Sequence, residues 1–559
     1  MPIGREPRLQ RAAPATHSAW LKRDIVLLTA LTLLSLFLRI TWAVTRNVVI
    51  ENEGAEYTRI GVNLAAGNGY VGLMGGPQLV DSPLYPMLIR TGLFFTRSPV
   101  ASARAVSIAA GTLLVPLVFL IVSAAYERRS AWIAAVISGL HPFLIGFSAS
   151  TYADCLYTTL LAGIVYFAIV SLRLPPLRWF IALGSLLGLA YLTKTEMIAE
   201  VAVLPVLISA VGAWKHRLKY ALSGAALVLA CWALFASPYV AYLSRHAHRL
   251  RLEGTSEATF VLTSRVNAGM DPYRAEYGLS DTGQEEGPLL STQYVFGKSA
   301  YPRTLTEFAR FFLLAVSRNV RGLYQGVALY VWLPLLTLCL FGLFRSAWSQ
   351  EQALVELVLL SMFPLACIPV LIAPFLELRF VLPMMPFVII WASKGIDELG
   401  DWVQQTVDNL LPVRRPGVYL CIATIVLLSA IVLIIGEKNA RHVYSFKEAD
   451  ATSMYLKEAG LALAKRANGK VIVDTGTVVA FYSGATWMGM PFAPAPVILR
   501  YFEQHHPDFV VINRQNRRED GLAEALKKDP DAHPLSLNLS SPLTIYEWKG
   551  AKAEGRASR

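Results

Sequence analysis

Three glutamates, Glu51, Glu53 and Glu56, stand in the stretch VIENEGAEY just after a long apolar run. Carboxylates where a chain leaves an apolar run can serve as a general base at its edge. They also fit the acidic first turn of a helix, where the dipole favours negative charge. Asp154, in SASTYADCLYTTLL, opens another apolar run. It is a second candidate carboxylate, or a simple N-cap for which Ser148, Ser150 and Thr151 are alternatives. Asp81 in VDSPLYP, Lys194 and Glu196 in LTKTEM, and Glu377 and Arg379 in LELRFVLPMMP complete the set. Each of these could simply reach from a helix end to a polar interface. Glu377 and Arg379 are the more demanding pair, because almost no loop separates the apolar stretches on either side and ionised groups near hydrocarbon are rare unless paired or functional.

The elements that must hold these groups are membrane helices. Of 559 residues, 54% are hydrophobic and 16% charged, and the mean hydropathy is +0.45. That composition is too apolar for a soluble enzyme of this length. A bilayer core of about 30 Å needs about 20 apolar residues per helix. Runs of that kind fall at 25–44, 103–124, 131–149, 154–172, 177–193, 197–213, 219–241, 323–344, 353–375, 378–393 and 417–436, which predicts about eleven spans. The net charge of +12 does not point to nucleic acid, because the basic residues cluster beside helix ends. Cys155, Cys231, Cys339, Cys367 and Cys421 all lie in apolar runs without metal-ligand spacing, and read as buried thiols.

Arg5, Arg8, Arg11, Lys22 and Arg23 precede the first run and no convincing cleavage site follows, so residues 1–24 are expected to be cytoplasmic and the first span uncleaved. Every second connection then carries basic residues, among them Arg128 and Arg129, Arg173 and Arg178, Lys215 to Lys219, Arg345, and Arg414 with Arg415. That alternation obeys the positive-inside rule. It sends two long segments, about 45–102 and 242–322, and residues 437–559 to the other, outer face of the membrane. Ala55 to Ala66 and Leu84 to Phe95 are expected to be interfacial helices, and 242–322 a long functional loop covering a site. In 437–559 a helical pattern, Ala451 to Ala467, precedes KVIVD, a second apolar run VVAFY, a helix near 496–505, DFVVIN and LTIYEW. The fold expected is an α-helical polytopic membrane domain over 25–436 with a C-terminal soluble α/β domain.

Taken together, these residues resemble the membrane glycosyltransferases of the GT-C superfamily. The branch is the bacterial one related to protein O-mannosyltransferases and lipid A aminoarabinose transferases. The likeness runs over nearly the whole chain. Glu53, Tyr57, the AGNGY ending at Tyr70, and SPLYP match the order of the family's first outer loop. Asp154, LTKTE and RFVLPMMP look like its later acidic, fifth-helix and Arg-Tyr-Pro segments. The family's first-loop acid is usually Asp followed by a second acid, whereas here Gly54 follows Glu53, so Glu51 and Glu56 remain alternatives for the base. Lys194 and Thr195 replace the family's Arg-Pro pair.

The resemblance implies inverting transfer of a sugar from a polyprenyl-phosphate donor to a lipid, glycan or protein acceptor on the extracytoplasmic face. Glu53 would be the base and Asp154 a second carboxylate orienting a substrate. Lys194 and Arg379 would contact the phosphate, with Tyr57, Tyr70, Asp81, Glu196 and Glu377 lining the substrate site. No cofactor is implied beyond the lipid-linked donor as co-substrate. The nearer relatives need no catalytic metal, whereas some distant GT-C enzymes use one. A polytopic transporter or lipid flippase is the competing reading, but neither repeat halves nor midplane charges are evident. A noncatalytic scaffold would leave the acids at Glu53 and Asp154 without a role.

Overall fold

Apolar runs of 18 or more residues become helices able to satisfy every backbone group inside a bilayer. Among the described residues, seven helices are long and apolar enough to cross one, or eight when a bent pair is taken as one span. The structure, a computed structural model, describes residues 22–45, 49–50, 52–173, 176–290, 304–325, 327–344, 348–408, 423, 427, 446–537 and 542–550. The chain is a multi-pass membrane protein.

Helices α1 (Lys22–Thr45), α2 (Asn52–Ala66), α3 (Leu84–Gly92) and α4 (Pro99–Ala125) open the fold. The expected span at 131–149 is two helices, α5 (Arg128–Leu140) and α6 (Pro142–Ser148), bent by 51°. Pro142 supplies no N–H and forces its predecessor out of the helical region; His141 is extended, with φ −65° and ψ 120°. Next come α7 (Asp154–Leu172), α8 (Arg178–Tyr191), α9 (Ile198–Trp214) and α10 (Leu218–Ala247). Between α10 and the later spans lie α11 (Ser256–Asn267) and α12 (Pro272–Tyr277).

Helix α13 (Leu305–Gln325) occupies residues expected in the outer loop, and α14 (Val327–Phe344) is the span expected at 323–344. Helix α15 (Gln350–Ile372) leads to a tight 3₁₀ stretch, Leu378–Met384, and then to α16 (Met385–Asp408). The expected span at 378–393 therefore begins with the tight turn that carries Arg379. The expected last span, 417–436, lies outside the described residues apart from 423 and 427. Helices α7 and α16 are the central ones: 78% and 89% of their apolar windows are buried, against 11% for α1. Leu33, Leu34 and Phe37 of α1 stay exposed on the outside of the bundle, where a bilayer would cover them.

The C-terminal region holds α17 (Phe446–Ala467), β1 (Val471–Asp474), α18 (Val478–Ser483), β2 (Thr486–Gly489) and α19 (Ala495–His505). Then follow β3 (Phe509–Asn513), α20 (Asp520–Leu526), β4 (Ala532–Pro534) and β5 (Leu543–Trp548). The apolar run VVAFY thus forms a helix, and the strands form one sheet in the order β2-β1-β3-β5-β4. Strands β2, β1 and β3 are parallel, with β5 antiparallel to β3 and β4. Its core is completed by other parts of the chain: Ile50, Ala55, Leu73, Tyr277, Leu279 and Leu290 are buried in the same cluster as Ile472, Val510 and Ile545. A short parallel bridge, Gly278 to Phe492, joins the segment after α12 to the C-terminal region.

Candidate active site

Helix α2 starts with Glu53 in its first turn and packs closely on the loop before α7. A β-carbon on Gly54 would lie 2.1 Å from Thr151 Oγ1, so only glycine permits this approach. The contact brings Glu53 to the end of the bundle where Asp154, Lys194 and Arg379 stand. Arg379 donates from Nη1 to Glu53 Oε2 at 2.5 Å and from Nη2 to Glu53 Oε1 at 2.9 Å. Its Nε donates to Glu377 Oε2 at 2.5 Å, and the guanidinium lies over Tyr152 at 4.7 Å and Phe380 at 5.1 Å. Arg379 is 7% exposed, whereas the Glu53 side chain is 39% exposed. The arginine is thus packed in place while the carboxylate opens outward.

A second pair sits beside the first. Lys194 Nζ is 2.9 Å from Asp154 Oδ1 and 5.9 Å from the centre of the same Phe380 ring. Asp154 is 2% exposed, and its Oδ2 has no hydrogen-bond partner among the described residues. Glu196 lies within electrostatic reach of Lys194, Asp154, Glu53 and Arg379. Burial alone would push the Glu53 carboxyl up, but Arg379 and Lys194 outweigh it and hold the carboxyl below its ordinary value. Burial would lower the Lys194 ammonium, yet Asp154, Glu196 and Glu53 raise it, so it stays a cation.

The third cluster belongs to the segment between α1 and α4. Glu56 accepts from Leu73 N at 2.8 Å and from Gln78 Nε2 at 2.6 Å, and Gln78 Nε2 also reaches Asp81 Oδ2 at 3.0 Å. Tyr70 and Tyr239 hydroxyls donate to the Asp81 carbonyl at 2.7 and 3.1 Å. Tyr57 is buried edge-on to Tyr85, ring centres 5.4 Å apart. Burial, then Glu56 and Glu53, push the Asp81 carboxyl well up; burial also raises Glu56. Of the three glutamates weighed for the base, Glu56 is tied into this loop, Glu53 faces the cations, and Glu51 lies outside the described residues.

Residues 80–242 match the family model described as dolichyl-phosphate-mannose-protein mannosyltransferase. That stretch contains Asp81, Asp154, Lys194 and Glu196. No curated protein gives a significant match. Among solved structures, the chain is similar to the oligosaccharyltransferase AglB from Archaeoglobus fulgidus, determined with an inhibitory peptide and dolichol-phosphate. The TM-score is 0.55 at 13% identity, over 96% of this chain and 75% of that one. It is also similar to ArnT from Cupriavidus metallidurans bound to undecaprenyl phosphate, with TM-score 0.52, 13% identity, and 95% and 98% coverage. The chain shares the overall fold of these two membrane proteins.

Within this fold, Glu53, Asp154, Lys194, Glu196, Glu377 and Arg379 form one contiguous charged centre, and Tyr57, Tyr70 and Asp81 line the loop beside it. Sequence reasoning did not single out Gln78, Tyr152 and Phe380. The two rings carry no charge, although Phe380 lies within RFVLPMMP, and Gln78 is an ordinary loop amide until the fold puts it between two carboxyls. Glu276 was one acid among several in the outer loop. It faces Glu377, and burial together with that charge pushes its carboxyl to about 7. Among the described residues, no group of three or more His, Cys, Asp or Glu could hold a metal ion.

Proposed function

We propose that this chain is an inverting membrane glycosyltransferase that moves a sugar from a polyprenyl-phosphate donor to an acceptor hydroxyl on the extracytoplasmic face. The observation that carries the reading is the junction of a partly exposed carboxylate, Glu53, with two packed cations, Arg379 and Lys194, from two other parts of the chain. A polyprenyl phosphate is an anion whose charge grows as the sugar leaves, and fixed cations that match this growth lower the barrier. The match to a mannosyltransferase family model over 80–242 supports the reaction class. The lipid phosphates bound to AglB and ArnT support the kind of donor.

In the free protein, Arg379 saturates both Glu53 oxygens and weakens the carboxylate as a base. The donor phosphate competes for the same guanidinium, since Arg binds phosphate and carboxylate with one fork geometry. As Arg379 turns to phosphate, Glu53 gains basicity and accepts the proton of the acceptor hydroxyl. The acceptor oxygen then bonds to the anomeric carbon while the bond from that carbon to the phosphate oxygen breaks, and polyprenyl phosphate leaves with the electron pair. Asp154 acts through Lys194, holding the ammonium beside the leaving group. A lipid, a cell-envelope glycan or a protein can each supply the acceptor hydroxyl.

The test is transfer from a radiolabelled undecaprenyl-phosphate sugar by the purified protein in lipid nanodiscs, with cell-envelope extract as acceptor source. Wild type should transfer, and E53Q, which keeps the shape but removes the base, should lose about 10²- to 10⁴-fold. Full transfer by folded E53Q would remove the base assignment. Absence of transfer from every polyprenyl-phosphate sugar tried would remove the reaction.

A further inference from the structure

Helix α2 carries more than Glu53. Glu56 and Arg59 follow at intervals of three, so all three run along one flank of the helix. Glu53 faces the membrane helices, whereas Arg59 reaches the C-terminal region. Its Nη2 donates to the carbonyls of Ala480 at 3.0 Å and Phe481 at 3.1 Å, and its Nη1 to that of Gly484 at 3.4 Å. The guanidinium also lies 5.9 Å from the Phe481 ring.

These carbonyls form the C-terminal end of α18, which Gly484 closes with φ 77°. The last carbonyls of a helix have no donor from within it and carry the negative end of its dipole. The closing turn gives Ala480 O and Phe481 O one backbone donor each, from Ala485 N at 3.1 Å and Gly484 N at 3.4 Å, and Arg59 adds a second donor to each carbonyl together with positive charge at this negative end. The helix of the candidate base is thereby fastened to a domain encoded more than 400 positions later, as the separations of 421, 422 and 425 show.

A second fastening lies one turn away. Glu56 accepts from Leu73 N, and Leu73 O accepts from Trp487 N at 2.7 Å. A β-carbon on Gly72 would lie 1.5 Å from Glu56 Oε1, so the loop is drawn tightly onto α2. Ile50, Ala55 and Leu73 share the buried cluster of the C-terminal sheet. None of these contacts touches the charged centre, and all act on the element that carries Glu53.

We infer that the C-terminal domain is a positioning element of the active site, and that Arg59 is the positioning residue through which α18 fixes the angle and depth of α2. The part of the inference that concerns turnover rests on the glycosyltransferase reading. The part that concerns α2 does not. A base misplaced by about 1 Å can cost about 10²-fold in rate without loss of substrate binding. Arg59 should therefore govern turnover more than donor affinity.

The experiment uses the full chain in nanodiscs, with R59M and R59K beside wild type. Hydrogen exchange of residues 52–66 is followed by mass spectrometry, together with kcat and donor KM for an undecaprenyl-phosphate sugar. In R59M, α2 amides should exchange at least about 10-fold faster while those of α4 and α7 keep their protection. Its kcat should fall by about 10- to 100-fold with donor KM within about twofold. R59K, which can still donate to the carbonyls, should stand between. Methylguanidinium added to R59M should restore part of the α2 protection.

Unchanged α2 exchange in R59M, or a kcat equal to wild type, would overturn the inference. So would equal loss of protection throughout the bundle with no rescue in R59K, which would make Arg59 a general stability residue. The exchange result decides on Arg59 even if wild type transfers no sugar, so failure of the reaction class and failure of this inference give different outcomes.

Discussion

The Arg379 guanidinium grips both oxygens of Glu53, at 2.5 and 2.9 Å, across 326 positions of sequence. The partner that would stabilise a leaving phosphate is thus the same group that lowers the basicity of the candidate base. Arg379→Gln should leave Glu53 partly buried with only Lys194 nearby, and its carboxyl should rise, since burial is the largest influence on it and acts upward. The acidic limb of kcat/KM against pH, which reports the free enzyme's base, should therefore move to higher pH in R379Q, with weaker donor binding. A limb that stays in place while activity falls would show that Arg379 does not control Glu53.

The Lys194 and Asp154 pair differs in being almost wholly buried on the carboxylate side, at 2% exposed. Removing one member of a buried pair costs about 3–5 kcal/mol because the other charge is left uncompensated. The two deletions should not be equal. Lys194→Met leaves the buried Asp154, whose Oδ2 has no partner among the described residues, with only the longer-range charge of Arg379, already bonded to Glu53 and Glu377. Asp154→Asn leaves the ammonium with Glu196 and Glu53 still in reach. Thermal unfolding in detergent should rank K194M below D154N, with the double variant recovering part of the K194M loss. A reversed order would mean that the charge balance is dominated by groups other than these.

Gly54 explains why no second acid follows Glu53. Its position against Thr151 excludes a side chain, with a β-carbon 2.1 Å from Oγ1. Thr151 can retreat only by moving the loop that carries Tyr152, on which Arg379 stacks. Gly54→Ala should accordingly reduce transfer by at least about 10-fold through displacement of α2. Gly54→Ala with Thr151→Ala, which removes the closest contact and leaves the β-carbon at 151 at 3.1 Å, should recover part of it. Equal activity of G54A and wild type in the nanodisc assay would show that α2 can shift without consequence.

Hydropathy made the bundle legible because each long apolar run must satisfy its own backbone in lipid. The same pattern made Glu53, Asp154, Lys194 and Arg379 stand out, since charges at the ends of such runs are few. Their pairing was not legible. Nothing local to Glu53 shows that its partner is Arg379 rather than Lys194, because the choice is made by helices far apart in sequence. The short run VVAFY carries no usable period at five residues, and it became α18 rather than a strand. The shared core of Leu73, Tyr277 and the C-terminal sheet was hidden for a related reason. Single apolar residues in long polar loops look incidental until a partner surface exists. Arg59, on an amphipathic helix, looked like any interfacial arginine.

The segment around α12 gives a prediction with a definite pH sign. Glu276 is pushed to about 7 by burial and by Glu377, from an ordinary value of 4.5. Between those values the docked segment holds a proton that the undocked one releases, so docking is favoured on the acid side and weakens as pH rises through 7. Asp474, at the end of β1, is pushed to about 7 by burial and Glu519. It lies within electrostatic reach of Tyr273 on the same segment, so it acts with the same sign. Exchange protection of residues 272–290, corrected for intrinsic rates, should fall between pH 6 and pH 8. Glu276→Gln should remove much of that fall, and Asp474→Asn a separate part. Because Glu377 bonds Arg379, ionisation of Glu276 places a second negative charge next to the carboxylate that holds the guanidinium. E276Q should therefore change donor KM at pH 8 more than at pH 6, and an identical ratio at both would show that the segment and the charged centre titrate independently.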